Sequence, residues 1–276
     1  MQKRTFNRDG DWKAWLQKRG KRFLWGALAA AALIVGGCYL LSDKLEVTFY
    51  HLYSPKIAGG ENVRVIVLSD LHNREFGPGN EDLAEQIAAL KPDLIAIAGD
   101  MVNADDGNLD IVLTLCSRLV EIAPVYYSPG NHENNLMYEK GSPLESRLSE
   151  QGIHVLVNRA EEAVIHRTSF LIGGLTTSTE GYEEYGAAFF EEYEKSGAFK
   201  LLIAHYPSLY YEALADGAVD LYAATTMAGR SGFRQPEGFI MATRAFSPNT
   251  AAECTSFATA QSLSPGAWVG TMACPV

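Results

Sequence analysis

Cysteine is scarce in this chain. Four residues in 276, at positions 38, 116, 254 and 274, do not make a disulfide framework. Cys116 falls on an expected helix with no paired base nearby, so it reads as a buried core thiol rather than a nucleophile. Histidine is absent after His205, which leaves the end of the chain without an imidazole ligand. From Thr225 to Val276 there is also no Lys, no Asp, one Leu and one Ile, a poor recipe for core strands. Basic residues are thin beyond the start. Residues 1–22 hold eight Lys or Arg against Asp9 and Asp11, so within a net charge of −10 the remainder sums to −16. An acidic body repels phosphate backbones, which argues against binding a nucleic acid duplex.

What is present starts with an apolar run. Phe23 to Leu41 carries no charge and is about the length that spans a bilayer core. With the basic segment ahead of it, the positive-inside rule predicts residues 1–22 in the cytoplasm, a signal anchor over 23–42 and the remainder exported. A cleaved signal peptide and a lipoprotein site at Val35-Gly36-Gly37-Cys38 are the alternatives.

Beyond the anchor, 47% hydrophobic composition allows a sizeable core. Strand-like and helix-like patterns alternate. Strands are expected at Leu45–Tyr53, Val63–Leu68, Leu94–Ala98, Val125–Ser128, His154–Val157, Ala163–Ile165, Ser169–Ile172, Lys200–Ala204 and Val219–Tyr222. Helices are expected at Glu81–Leu90, Leu109–Ile122, Tyr182–Lys195 and Ser208–Ala215. Such alternation implies an α/β domain, with sheets covered by helices, over residues 45–224.

Four of these strands end in polar residues. Val63–Leu68 runs into Ser69-Asp70-Leu71-His72, Leu94–Ala98 into Gly99-Asp100, and Val125–Ser128 into Pro129-Gly130-Asn131-His132-Glu133; Lys200–Ala204 runs into His205. Ligands converge at the carboxyl ends of strands in α/β layers. If Asp70 and His72 stay extended, a spacing of two points both side chains the same way while Leu71 turns off. A carboxylate such as Asp100 has two oxygens and could bridge two ions. Asn131 offers a neutral amide oxygen, and His132 could protonate a leaving alkoxide or steady developing charge. A lone Gly-Asp is usually a turn; four clusters in this order point to mixed oxygen and nitrogen ligation of divalent metals. His51, His154 and His166 lack that context and read as ordinary histidines.

Asp70-x-His72, Gly99-Asp100, Gly130-Asn131-His132-Glu133 and His205 resemble the calcineurin-like metallophosphoesterase superfamily, and the Leu-Ser-Asp-Leu-His opening resembles its membrane-anchored bacterial phosphodiesterase branch. The resemblance covers about Val47 to Tyr222. It implies a four-layer α/β/β/α sandwich holding two divalent metals, commonly Mn, Fe or Zn. By that resemblance Asp70, His72 and Asp100 hold the first ion, and Asp100, Asn131 and His205 hold the second. His132 is then the general acid or charge stabiliser while a hydroxide between the metals attacks phosphorus. The implied substrate is a phosphoester, and the anchor makes a lipid-linked one plausible. A catalytically inactive binding or scaffold protein of the same fold is the rival reading.

The family pattern stops near Tyr222. A Gly-His-x-His-Gly-Gly-Gln run is expected next, but the chain reads Ala223-Ala224-Thr225-Thr226-Met227-Ala228-Gly229. Shifting the reading frame by one base lets this segment spell the missing run. Most steps leave several choices, but Met227-Ala228, Met241-Ala242, Trp268-Val269 and Met272-Ala273 each force a glycine, and each falls where the family-like pattern has one. Residues 225–276 are therefore expected to be an aberrant, frameshifted tail that costs each metal a histidine and leaves a sheet edge without its strands.

Overall fold

The computed structural model describes residues 19–21, 25–26, 28–33, 45, 47–105, 107–176, 178, 180–210, 214, 219–224 and 239–246. The chain divides into two units, residues 1–44 and Leu45–Val276. In the first, helical residues occur at 19–21, 25–26 and 28–33. Among the described residues no helix is long and apolar enough to cross a membrane. Much of the expected anchor (23–24, 27 and 34–42) lies outside them.

The second unit is built on two sheets. The first has the order β1 (Val47–Tyr53), β10 (Phe239–Phe246), β2 (Asn62–Ser69), β3 (Leu94–Ile97), β4 (Val125–Tyr127) and β5 (His154–Val155). From β2 to β5 all pairings are parallel, while β10 runs antiparallel to β2 and parallel to β1. The second sheet has the order β6 (Arg159–Ile165), β7 (Thr168–Leu175), β8 (Phe199–Ala204) and β9 (Leu221–Ala223), with only β6–β7 antiparallel.

Strand alternation explains why there are four layers. Successive side chains of a strand leave opposite faces, so a strand buried on both sides is apolar throughout. Ile66, Leu68, Ile95, Ile97, Val125 and Tyr127 join Leu83 and Ile87 of α1 (Glu81–Leu90), Val112 and Leu119 of α2 (Asp110–Leu119), and Leu144 and Leu148 of α4 (Leu144–Glu150) in one core. The residues between them, Val65, Val67, Leu94, Ala96 and Tyr126, form a second core with Phe170, Ile172, Phe199, Leu201 and Ile203 from the other sheet. On the far side, Leu202 and Ala204 pack with Tyr182 of α5 (Tyr182–Tyr185) and Phe190 and Tyr193 of α6 (Ala187–Tyr193). Three cores separate four layers, and the order is α/β/β/α.

Several boundaries differ from the sequence reading. Leu109–Ile122 shortens to α2, and the polar helix expected over Tyr182–Lys195 is two helices meeting at Gly186. The helix expected at Ser208–Ala215 is described only as a turn at Pro207–Leu209; most of its remainder lies outside the described residues. Two helices have no counterpart in the sequence reading: the four-residue α3 (Asn131–Asn134), with a π-turn behind it at Asn135–Glu139, and α4, whose apolar signal is little more than Leu144 and Leu148.

The poor prospects of the tail as core strand need correction, since Phe239–Phe246 is inserted between β1 and β2. Composition summed over the whole tail hides one eight-residue stretch with apolar residues. An exposed β2 edge presents unpaired N–H and C=O groups, which such a segment can satisfy.

Candidate metal centre

Local backbone shape brings the four strand ends together. Asp70, His72 and Asn73 after β2 and Asp100 after β3 all have φ between 46° and 60°, a left-handed conformation that Asx residues tolerate best. Spacing alone predicts Asp70 and His72 on an extended chain. They converge instead through this left-handed turn, with His72 Nε2 3.9 Å from Asp70 Oδ1 and Leu71 buried. Three backbone hydrogen bonds zip the two loops: Asp70 N–H to Gly99 O (3.1 Å), His72 N–H to Asp100 O (3.0 Å) and Asn73 N–H to Met101 O (2.9 Å). Gly99 and Gly130 let the β3 and β4 loops touch backbone to backbone. A Cβ on Gly99 would collide with Gly130, and one on Gly130 with Asp100 Oδ1.

Glu133 ties these loops together, and the sequence reading gives it no role. It is fully buried, and its carboxylate accepts the backbone N–H groups of Asp100 (2.8 Å), Met101 (2.8 Å), Val102 (3.3 Å) and Gly130 (2.9 Å) and the Tyr127 hydroxyl (2.6 Å). Burial and the Glu133 charge beside it hold the Tyr127 phenol well above its ordinary range. A glutamate three residues after a turn glycine, at the head of a short helix, is the signal that could have found it.

Two groups of candidate ligands result, and Asp100 belongs to both. In each, one donor atom from every residue lies within 4.8 Å of the others: Asp70, Asp100 and His205 form one, and His72, Asp100 and His132 the other. Asp100, the carboxylate shared by both groups, is also the one that the resemblance shares between two ions. Asn131, the first residue of α3, is exposed beside His132 on the wall of a shared cavity.

Hydrogen bonds behind the two histidines give them opposite roles. His205, 6% exposed, lies with Nδ1 2.9 Å from the Ala98 carbonyl, to which it must donate; its Nε2, 3.1 Å from Asp100 Oδ2, is then the atom that shares the proton with Asp100 and that carries a lone pair for a cation once the ring is neutral. His132 Nδ1 instead accepts the Ala104 N–H at 3.0 Å, so the proton of the neutral ring sits on Nε2 and that atom can donate but not ligate. His132 N–H also binds Asp100 Oδ1 at 3.0 Å and aims the carboxylate.

The electrostatics follow. Burial alone would raise Asp100, but the His205 hydrogen bond and charge, with the His132 N–H and ring, bring it below the usual carboxylate range. Burial pulls His205 down; the Asp100 hydrogen bond, the Asp100 and Asp70 charges and the Ala98 carbonyl outweigh it and push the imidazole up to about 9. A buried carboxylate that must share a proton with its neighbour is a place where a divalent cation can stand instead. The donor chemistry fits: two carboxylates and imidazole nitrogen, oriented by outer hydrogen bonds, suit hard to borderline divalent ions.

Among the described residues, His154, His166 and Cys116 lie away from the four clusters. His154 pairs with Glu161 at 2.6 Å and stacks on Tyr126, and His166 pairs with Asp93 at 2.9 Å. Cys116 is fully buried, and burial with the nearby Glu133 charge pushes its thiol up to about 12, which makes it inert at neutral pH.

These features define a class of protein, an α/β/β/α sandwich with a carboxylate and imidazole centre at the strand carboxyl ends. Comparison with known proteins narrows it. The family model for calcineurin-like phosphoesterases matches residues 63–230, more than half the chain. The match begins after β1, runs past Tyr222 and leaves residues 231–276 outside. Phosphodiesterase YaeI of Escherichia coli K12 is 31% identical over 149 residues, 51% of this chain and 54% of that protein, so the chain spans about half the length of this curated relative. Phosphopantetheinyl hydrolase from Mycobacterium tuberculosis (16% identity, TM-score 0.37, 68% of this chain and 90% of that one) and a 5′-nucleotidase precursor from Thermus thermophilus (17% identity, TM-score 0.38, 52% and 37%) are similar solved structures, too distant to bear on function. The chain belongs to the calcineurin-like phosphoesterase family.

Proposed function

We propose that this protein is a metal-dependent phosphoester hydrolase with a dinuclear centre, and that its activity is impaired by the sequence after β9. The observation that carries the reading is Asp100, buried and common to two donor groups at converging strand ends. Asp70, His72 and Asp100 would hold one ion; Asp100, the Asn131 amide and His205 would hold the other. Bound metals would supply Lewis acidity and an activated water. The chain's own part is to aim Asp100 through His132 N–H, to keep a lone pair on His205 Nε2, and to offer the His132 Nε2 proton to charge developing on phosphoryl or departing oxygen. With Nδ1 engaged by Ala104, His132 acts as a hydrogen-bonding charge stabiliser, and the released alkoxide takes its proton from solvent. The two positions where the family pattern has histidines hold Thr225 and Met227, a weak hydroxyl and a soft thioether.

The family match ending at residue 230 supports a replaced tail. The uncharged run at 23–41 behind its basic flank supports a single-pass anchor with the catalytic unit outside the cytoplasm and a substrate near the membrane. The coding DNA tests the tail directly, because a one-base shift between about Asp220 and Thr225 must spell Gly-His-x-His in phase. Metal analysis and diester turnover should then rank the frame-restored chain above this one by at least about 10–100-fold, the cost of losing even an outer partner. Equal activity overturns the impairment, and no bound metal in either chain overturns the hydrolase reading. Fractionation with membranes that is lost on deleting residues 23–41 tests the anchor.

A further inference from the structure

The second sheet hands the centre one more side chain besides His205. A cavity of about 430 Å³ opens beside His132, and among the described residues Tyr206 is the only part of its lining that follows a strand of that sheet. The rest comes from Ala104 and Asp105 after β3, and from α3 and the π-turn behind it. Tyr206 has little freedom. Pro207 holds the residue before it to extended backbone, and Tyr206 lies at φ −93° and ψ 109°. Its carbonyl accepts the buried Tyr222 hydroxyl at 2.8 Å. Its ring stands edge-on to His205, with centroids 5.3 Å apart and planes at 79°. Burial acts on its phenol first, then the charges of Asp100 and Glu180, which sets the hydroxyl within electrostatic reach of the centre. Yet this half-buried hydroxyl has no hydrogen-bond partner.

Most other side-chain donors along the wall are spent. Asn134 Nδ2 donates to the Thr176 carbonyl at 3.0 Å, Asn135 Nδ2 to Glu139, and the neighbouring Lys140 ammonium to the Ala104 carbonyl. His132 Nε2, the Asn131 amide and the Tyr206 hydroxyl remain, and the reading above gives the Asn131 amide to an ion. A phosphoryl group carries several acceptor oxygens and needs donors where metals do not reach. A phenol keeps its proton at neutral pH and can donate it. We infer that the Tyr206 hydroxyl donates to an oxygen of the bound phosphoryl group, as a second donor beside His132 Nε2. The inference rests on the phosphoester-hydrolase reading above and adds a substrate-binding residue to it.

Calorimetric binding of inorganic phosphate to the full-length, Zn²⁺-loaded chain tests this without turnover, with zinc content measured alongside. Tyr206→Phe keeps the ring against His205 and removes only the hydroxyl. It should hold zinc as the parent does and bind phosphate at least about tenfold more weakly, the scale of one hydrogen bond to a charged group. If Tyr206→Phe binds phosphate as tightly as the parent, the hydroxyl makes no such bond and the inference falls while the hydrolase reading stands. If the variant loses zinc in step with phosphate, Tyr206 acts through His205, and the inference is overturned again. A parent chain that binds no phosphate sinks the hydrolase reading and takes the inference with it.

Discussion

Strands β8 and β9 lie side by side, parallel, in the second sheet, yet they end very differently. β8 delivers His205 into the centre, where Asp100 and the Ala98 carbonyl hold it. β9 ends at Ala223 followed by Ala224, both buried and neither able to bind anything. In the first sheet β2, β3 and β4 each lead to a polar cluster at the same end. Among the described residues the first sheet brings three polar clusters to the centre and the second brings His205. The difference teaches that framework and ligand set are separable. β9 still adds Leu221 to the core between the sheets and Tyr222 to the core beyond while contributing no donor.

The strongest break of that contrast is Asp100→Asn. It strips the shared oxygen from both donor groups, and bound metal measured after dialysis should fall at least about 100-fold in affinity, the upper end of what an outer-partner loss costs. Retention of metal would mean that the two sides do not meet at Asp100.

Glu133→Gln probes how the first sheet's side is assembled. Its amide would point a donor at a carboxylate pocket made of donors, and urea unfolding should show a loss of roughly 2–4 kcal/mol, given ~1.5–3 kcal/mol for a charged hydrogen bond. The variant should also bind metal poorly, because the Asp100 and Gly130 loops are both fastened by this carboxylate.

His205, the candidate ligand from the second sheet, has its own signature. In the metal-free chain the imidazole of His205 is pushed up to about 9, above its unfolded value. A raised pKa stabilises the fold fully below the unfolded value of about 6.5, and the gain is lost as pH rises through about 9. Chelated protein should therefore lose stability across that window, and His205→Asn should flatten the slope. An unchanged slope in the variant would remove the Asp100–His205 coupling.

The smallest effects belong to histidines away from the centre. His166→Asn and His154→Asn break partly exposed pairs with Asp93 and Glu161 and should cost no more than about 1 kcal/mol, with metal binding unchanged. A loss of metal in either would show that the centre extends beyond the strand ends described.

Much of the layer order was legible in sequence, because β3 and β4 are apolar at every position, β8 at all but Lys200 and β2 from Val65 to Leu68, a pattern typical of strands covered on both faces. Less legible were elements whose partners are distant. α3 and its π-turn carry no apolar period, and β10 is a strand paired between β1 and β2, segments far from it in sequence. In the centre, residue types and order were visible at Asp70, His72, Asp100, Asn131, His132 and His205. How they converge was not, since a left-handed turn at Asp70 and His72 and contact between Gly99 and Gly130 bring the loops together, and neither follows from spacing.

By itself the sequence determined which side chains stand at strand ends and what they can donate, because alternation and apolar runs are local properties of the chain. Tertiary structure alone decided that the neutral ring of His205 presents a lone pair and that of His132 a proton. A ring's tautomer is chosen by what lies behind it, and here those partners are the Ala98 carbonyl and the Ala104 N–H, each supplied by a distant segment.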